Sequence, residues 1–194
     1  MLLMVGLGNP GPEHANQRHN IGFMALDRIH AAHSFGPWRA RFHAQVSEGF
    51  LSGIKTQLLK PMTYYNESGR AVAEAMRFHK IDLEQLVVIH DELALAPAKI
   101  RVKTGGGSAG NNGIKSVDAH CGPDFRRVRV GIGHPGDKDQ VHGHVLHAVS
   151  KAERQWLDPL LDVMAQHAGL LAQGRDDQFM NKVSLALKPD ETEK

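Results

Sequence analysis

The sequence contains a single cysteine, Cys121, so an internal disulfide is excluded. It has no apolar run approaching the roughly 20 residues of a membrane-spanning helix. The apolar first residues lack the basic flank and the small-residue cleavage site of a signal peptide. These absences argue against a secreted disulfide scaffold or a membrane protein and predict a cytoplasmic location. The formal net charge is only +2, so any nucleic-acid binding must depend on local basic clusters.

Hydrophobic residues make up 41% of the 194 residues and charged residues 23%, which is typical of one compact domain. Strand-like and helix-like patterns alternate along the chain. Apolar runs predict buried strands at residues 1–7 and 86–89, and alternation predicts strands at 42–46, 54–59, 99–103 and 127–132. Helical spacing covers residues 21–32 and 67–78. We therefore predict an α/β fold with a mixed β-sheet flanked by helices.

The last part of the chain has the pattern of helices. Ser150 and Glu153 form a capping box, and the helix that they open is predicted to run to Gly174. A short helix follows around residues 179–187. We expect one domain over residues 1–188 and a charged, frayed tail over 189–194.

The segment VGLGNPGPEH, residues 5–14, matches the glycine spacing of a dinucleotide-binding loop. That loop must lead directly into a helix packed on the sheet. Here Pro12 follows Gly11, and residues 13–20 have almost no apolar face. We therefore interpret the glycines and prolines as a tight turn after the first strand.

Two other motifs suggest different chemistry. Ser108 lies in a G-x-S-x-G pattern, which makes a serine esterase an open alternative. The charged strand before it and the surrounding glycines are unlike a strained nucleophile elbow. His142 and His144 would share a face of a strand and could hold a metal, but no carboxylate or cysteine accompanies them at a convincing spacing. We interpret them as surface histidines.

Several polar residues lie at the ends of predicted elements. They are Asn9, His19, Asn20, Asn66, Asp91 and Asn112. A neutral histidine can accept a proton from water, a carboxylate can orient the histidine, and asparagines can position the water or stabilise an oxyanion. Each of these residues, taken alone, is also explained as a turn, a helix cap or a strand end.

Basic residues also cluster by alternation. Lys99, Arg101 and Lys103 share one strand face, and Arg127 and Arg129 share another. Such faces are usually solvated, but beside a flexible glycine-rich loop they are suited to holding phosphates.

Five segments together resemble the bacterial peptidyl-tRNA hydrolase family. They are VGLGNPGPEHANQRHNIGF, KPMTYYNESGRAV, VVIHDELALAP, KTGGGSAGNNGIKSV and FRRVRVGIGHPGD, in the family's order over residues 1 to about 146. The resemblance implies a single α/β domain with a twisted mixed sheet. It also implies hydrolysis of the ester between a peptide and the terminal ribose of tRNA by a monomer without metal, cofactor, membrane or obligate protein partner.

The resemblance also implies roles for individual residues. His19 matches the catalytic histidine and Asp91 the aspartate that orients it. Lys103 and Arg129 match residues that clamp a tRNA phosphate. The implied substrate-binding residues are Asn9, Tyr64, Asn66 and Asn112.

Some positions differ from the family pattern. Ser108 and Asn111 stand where GGGHGGHNG commonly has histidines, His14 where tyrosine is frequent, and Ala94 where aspartate is frequent. Because Ser108 replaces a histidine, the resemblance weakens the serine-esterase interpretation. A non-catalytic RNA-binding protein on the same scaffold remains a third hypothesis.

Overall fold

The structure of the protein is a computed structural model that describes residues 1–188. Its strands are β1 (Leu2–Gly6), β2 (Arg39–Arg41), β3 (Ala44–Leu51), β4 (Ile54–Pro61), β5 (Leu86–Glu92), β6 (Ile100–Thr104) and β7 (Arg126–Gly131). Its helices are α1 (Ile21–Ala32), α2 (Ser68–His79), α3 (Asn112–Cys121), α4 (Val141–Leu146), α5 (Lys151–Gln166), α6 (Ala168–Ala172) and α7 (Asp176–Ala186).

The strands form one mixed sheet in the order β2-β3-β4-β1-β5-β7-β6. The four central strands β4, β1, β5 and β7 are parallel, whereas β3 and β6 run antiparallel to their neighbours. Both faces of the sheet are covered, which explains why β5 is buried along its whole length. The predicted α/β fold with a mixed sheet flanked by helices is confirmed.

Each face of the sheet has its own hydrophobic core. On one face, α1, α5, α6 and α7 pack through residues such as Leu26 and Leu160. On the other face, α2 and α3 pack through residues such as Val72 and Ile114. No helix within residues 1–188 is both long and apolar enough to cross a membrane.

Two glycines allow α1 to approach the central strands closely. A Cβ atom on Gly6 would lie 2.2 Å from the carbonyl oxygen of Gly22. A Cβ atom on Gly22 would lie 2.4 Å from the Leu7 nitrogen and 2.5 Å from the Ile89 oxygen. Glycine is therefore needed at both positions for steric reasons. The contact sets the start of α1 against the carboxyl ends of β1 and β5.

The structure corrects the predicted elements in two places. Phe42 lies in a tight turn, because Phe42 and His43 both have positive φ, as in a two-residue hairpin loop. The long helix predicted from Ser150 to Gly174 is two helices that break at His167. After the break, Gly169 lies against Ser52 of the β3–β4 turn, a contact that apolar periodicity does not encode. The tail at residues 189–194 is outside the described residues.

Candidate active site

The carboxyl ends of three parallel strands meet at one edge of the sheet. Asn9 follows β1, the segment containing Tyr64 and Asn66 follows β4, and Asp91 lies near the end of β5. This is the edge at which open α/β sheets bind their ligands. His19 arrives from a 3-10 turn (Arg18–Asn20) that leads into α1.

His19 and Asp91 are in direct contact although they are 72 residues apart in the chain. The Nδ1 atom of His19 lies 2.8 Å from Oδ2 of Asp91. Asp91 is buried, while His19 is partly exposed to solvent. With the proton on Nδ1 donated to the carboxylate, the Nε2 lone pair is left as a proton acceptor.

The Asp91 carboxylate is held in its charged form. Burial alone would raise its pKa, but the neighbouring His19 and the hydrogen bonds from His19 and Tyr65 outweigh that effect and lower the pKa below its ordinary value. Each carboxylate oxygen has its own donor: His19 at Oδ2 and the Tyr65 hydroxyl, 2.8 Å away, at Oδ1.

Tyr65 forms one wall of the site beneath the histidine. Its ring stacks on the His19 imidazole with centroids 3.5 Å apart and an interplanar angle of 15°. Burial, together with the nearby Asp91 charge, raises the pKa of Tyr65 well above its ordinary value. The hydroxyl therefore remains protonated and donates to Asp91.

Asn9 is fixed from two sides. Its backbone nitrogen donates to Oδ1 of Asn20 at 2.9 Å, and its backbone oxygen accepts from Nδ2 of Asn20 at 2.9 Å. Its own Oδ1 accepts from the backbone nitrogen of Tyr65 at 3.0 Å. With that oxygen occupied, the Nδ2 group of Asn9 is the part of its amide available to a ligand.

The turn that carries His19 is anchored to the C-terminal helices. Arg18 donates to Glu153 at 2.7 Å and to the His144 carbonyl at 2.8 Å. Glu153 also completes the capping box with Ser150 at the start of α5. The predicted capping box therefore has a second role, which is to hold the segment that contains His19.

The remaining predicted substrate-binding residues lie at the surface. Tyr64 is 77% exposed, and Asn66 and Asn112 are also exposed. Tyr64 and Asn66 flank Tyr65, and Asn112 begins α3 next to Asn111. Asn111 donates to the Tyr65 hydroxyl at 2.9 Å. Tyr65 therefore links both segments to the His19–Asp91 pair.

The basic strand residues are not equivalent. Arg127 is only 2% exposed and donates to Asp118, to the Gly107 carbonyl and to the Pro123 carbonyl, so the expectation of a solvated face is wrong at this position. It anchors the glycine-rich loop to α3. Lys103 is exposed, whereas Arg129 donates to the buried Glu92 at 2.8 Å.

Lys103 and Arg129 are diagonal neighbours on one face of the sheet. Lys103 pairs with Arg127 in register, and Arg129 lies two residues further along β7. Diagonal side chains of this kind lie within reach of one ligand group. The pair therefore has the arrangement needed to contact a common phosphate.

The alternative motifs receive little support from the geometry. The glycine-rich loop, residues 105–111, follows the edge strand β6, and within residues 1–188 the Ser108 hydroxyl has no histidine hydrogen-bonded to it. His142 and His144 lie on the short helix α4 and not on a strand. In the described part of the chain, no three histidine, cysteine or acidic side chains are grouped as metal ligands.

His90 is not a second catalytic candidate. It is buried next to Asp91, and its Nδ1 atom lies 2.8 Å from the Asp91 carbonyl oxygen. Burial lowers its pKa, which keeps the ring neutral. His19 is thus the imidazole of this site that solvent and ligands can reach.

The sequence did not identify three residues that build the site: Arg18, Tyr65 and Asn111. Asn20 is among the polar residues at element ends, but its hydrogen bonds to Asn9 were not predicted. Arg18 directly precedes His19 in the sequence, so its position was available as a signal. The resemblance assigned roles to Tyr64 and Asn66 but none to Tyr65, which lies between them. The partners of Asn111 depend on the packing of α3 on the sheet.

Comparisons with known proteins agree with this fold. The family model described as peptidyl-tRNA hydrolase matches residues 3–192. The peptidyl-tRNA hydrolase of Parvibaculum lavamentivorans is 60% identical, with 100% of this chain and 95% of the relative covered. That of Rhizobium rhizogenes is 58% identical, with 96% of this chain and 79% of the relative covered. A crystal structure of peptidyl-tRNA hydrolase from Acinetobacter baumannii is 40% identical, covers 94% of both chains and has a TM-score of 0.89. The chain therefore belongs to the peptidyl-tRNA hydrolase family.

Proposed function

We propose that the protein cleaves the ester between a peptide and the terminal ribose of tRNA with His19 as general base and Asp91 as the residue that orients it. Membership of the family makes it a hydrolase that acts on peptidyl-tRNA. The catalytic assignment rests on one observation, the 2.8 Å hydrogen bond between Nδ1 of His19 and the buried Asp91 carboxylate.

The proposed reaction has two proton transfers. Water attacks the ester carbonyl carbon while Nε2 of His19 takes the water proton, and Asp91 stabilises the imidazolium that forms. The tetrahedral oxyanion accepts a hydrogen bond from an uncharged amide, and we assign this donor to Nδ2 of Asn9, because its Oδ1 already accepts from the Tyr65 backbone nitrogen. The carbon–ribose oxygen bond then breaks, and the imidazolium returns its proton to the leaving ribose oxygen.

Substrate binding is assigned to the exposed polar groups around this centre. We assign three asparagines, Asn9, Asn66 and Asn112, jointly to binding the peptide, the terminal nucleotide and the attacking water. We assign Tyr64 to contact with the end of the substrate. The asparagine amides carry no charge and therefore add no electrostatic field to the hydrogen-bonded His19–Asp91 pair. The exposed ring of Tyr64 offers a stacking surface for a base.

Lys103 and Arg129 are proposed to hold a tRNA phosphate. Since Arg129 already donates to Glu92, we assign the larger share of the phosphate contact to Lys103. Lys103→Ala should weaken tRNA binding, raise KM rather than lower kcat, and reduce the salt slope of binding by about 1. A salt slope equal to that of the wild type would remove Lys103 from the interface.

We also propose that the protein acts as a cytoplasmic monomer without metal or cofactor. The hydrogen bonds that hold His19 against Asp91 and fix Asn9 are all made within one chain and need no group from a second copy. Light scattering across the working concentration range measures the oligomeric state, and dialysis against a chelator tests for a metal requirement. A dimer, or a loss of activity after dialysis, would contradict this part of the proposal.

The decisive experiment compares an N-blocked aminoacyl-tRNA with free aminoacyl-tRNA. We expect the wild type to release the blocked amino acid selectively, His19→Ala to lose this activity while retaining its fold and tRNA binding, and the control His120→Ala to behave as wild type. His120 is exposed at the far end of α3. Full activity in His19→Ala would rule out the assigned base.

The same assay separates the other hypotheses. Wild-type protein that binds tRNA without cleaving either substrate would favour the non-catalytic RNA-binding protein. Labelling of Ser108 by a fluorophosphonate probe, with loss of labelling and activity in Ser108→Ala, would favour the serine esterase.

A further inference from the structure

We propose that Tyr65 is a positioning residue whose hydroxyl holds the Asp91 carboxylate against His19, and that Asn111 in turn holds that hydroxyl. This inference rests on the proposed function of His19 and Asp91. It adds two residues that neither the family resemblance nor the sequence pattern assigned. It also gives a role to Asn111, which stands where the family commonly has a histidine.

The hydroxyl of Tyr65 has one proton to donate, and its contacts determine where that proton lies. Asp91 Oδ1 is 2.8 Å away and, as a carboxylate oxygen, can only accept. Asn111 Nδ2 is 2.9 Å away and can only donate. The tyrosine proton therefore points to Asp91, and the amide proton of Asn111 points to the tyrosine oxygen.

The orientation of the Asn111 amide is fixed by α3. Its Oδ1 accepts from the backbone nitrogen of Ile114 at 3.0 Å, as the N-cap of the helix. Nδ2 consequently faces Tyr65 and cannot exchange places with the oxygen without loss of the cap. The start of α3 thus fixes Asn111, which fixes the Tyr65 hydroxyl that donates to Asp91.

The ring of Tyr65 is confined as closely as its hydroxyl. It stacks on the His19 imidazole, and on α3 a Cβ atom on Gly113 would lie 2.6 Å from its Cε1 atom. Its backbone nitrogen donates to Oδ1 of Asn9. One residue therefore contacts the proposed base, its carboxylate and a proposed substrate-binding amide.

Removal of the hydroxyl would leave Asp91 held from one side only. The other donor near Oδ1 is Asn111 Nδ2 at 3.5 Å, which is at the limit of a hydrogen bond. The carboxylate would then rotate more freely, and the imidazole would spend less time in the orientation required for proton transfer. Because Tyr65 is buried, this loss should appear in kcat and not in KM.

Tyr65→Phe tests the hydroxyl alone, because the ring and its stacking remain. We expect kcat on N-blocked aminoacyl-tRNA to fall about 10- to 100-fold, as for loss of a hydrogen bond to a charged group. KM should stay within about twofold of the wild type. Thr56→Val is the matched control: it removes another buried hydroxyl, which donates to Ile54 at the opposite end of the sheet, and should leave kcat unchanged.

Asn111→Ser tests the second link. Serine retains the N-cap acceptor of α3 but is too short to reach Tyr65. We expect a smaller loss of kcat than in Tyr65→Phe. The double variant should resemble Tyr65→Phe, because both substitutions act through the same hydroxyl.

A proton NMR spectrum gives an independent measure of the pair. The downfield signal of the His19 Nδ1 proton should broaden or disappear in Tyr65→Phe and remain in Thr56→Val. A purely structural role for Tyr65 would lower thermal stability and leave both this signal and kcat unchanged.

The outcomes distinguish the inference from the proposed function. If the wild type cleaves the substrate, His19→Ala does not, and Tyr65→Phe matches the wild type in kcat, the inference is wrong and the His19 mechanism stands. Additive losses in the double variant, or a rise confined to KM, would also overturn it. A wild type without esterase activity would overturn the proposed function and this inference with it.

Discussion

The Asp91→Asn substitution tests the proposed mechanism most directly, because it removes one charge and no volume. Asparagine can still accept a hydrogen bond from Nδ1 of His19, but it cannot stabilise the imidazolium electrostatically. Two unit charges about 4 Å apart at an effective dielectric constant of about 20 interact by about 4 kcal/mol. Loss of that stabilisation corresponds to a fall in kcat of about a thousandfold. The short contact and the burial of Asp91 justify the use of a reduced dielectric constant.

The assay is single-turnover cleavage of an N-blocked aminoacyl-tRNA, with circular dichroism and thermal unfolding as checks on the fold. The matched control is Asp176→Asn, which removes a carboxylate paired with Arg126 at 2.7 Å, away from the site. We expect the control to retain wild-type kcat. An Asp91→Asn protein that is folded and active to within about fivefold of the wild type would show that the carboxylate charge does not act in the reaction.

Three further predictions concern folding and stability. Gly22→Ala should lower the free energy of unfolding, measured in urea, by about 2–3 kcal/mol and reduce activity, because its Cβ would overlap backbone atoms of Leu7 and Ile89. The control Gly143→Ala, on an open part of α4, should not lower that free energy. Arg127→Met should lower the free energy of unfolding by about 2 kcal/mol, because three hydrogen bonds are lost and polar groups remain without a partner; an unchanged urea midpoint would contradict this. Because the pKa of Asp91 is lower in the folded state than in the unfolded chain, its stabilisation is complete above the unfolded pKa of about 3.9 and is lost as the pH falls through the folded value. Acid titration of wild type and Asp91→Asn should therefore show a shallower loss of stability in the variant, and parallel curves would refute this contribution.

Local patterns predicted most elements, because these elements have strong periodicity or strong end signals. The helix predicted at residues 21–32 is α1, and the capping box at Ser150 opens α5. The buried strand predicted at 86–89 is the first half of β5. The contact between His19 and Asp91 is also found in the structure, but it came from the family resemblance. The residues alone showed only that each could end an element.

Features that depend on contacts between distant segments were not predictable. The burial of Arg127 depends on the position of Asp118 and of the loop carbonyl at Gly107. Tyr65 looks like any aromatic residue next to a helix start, and its hydrogen bonds depend on Asp91 of β5 and the N-cap residue of α3 meeting at its hydroxyl. Alternation along one strand gives the face of a side chain but not what covers that face.

The close glycine contact between α1 and the central strands has a consequence for how the molecule loses activity. His19 and Asp91 belong to segments that stay together only while β1 pairs with β5 and α1 lies across them. Fraying of a helix that does not contact these segments, such as α7, leaves that arrangement intact, whereas separation of the two strands disrupts the whole core. We therefore expect activity to be lost together with the central sheet, in a single unfolding transition.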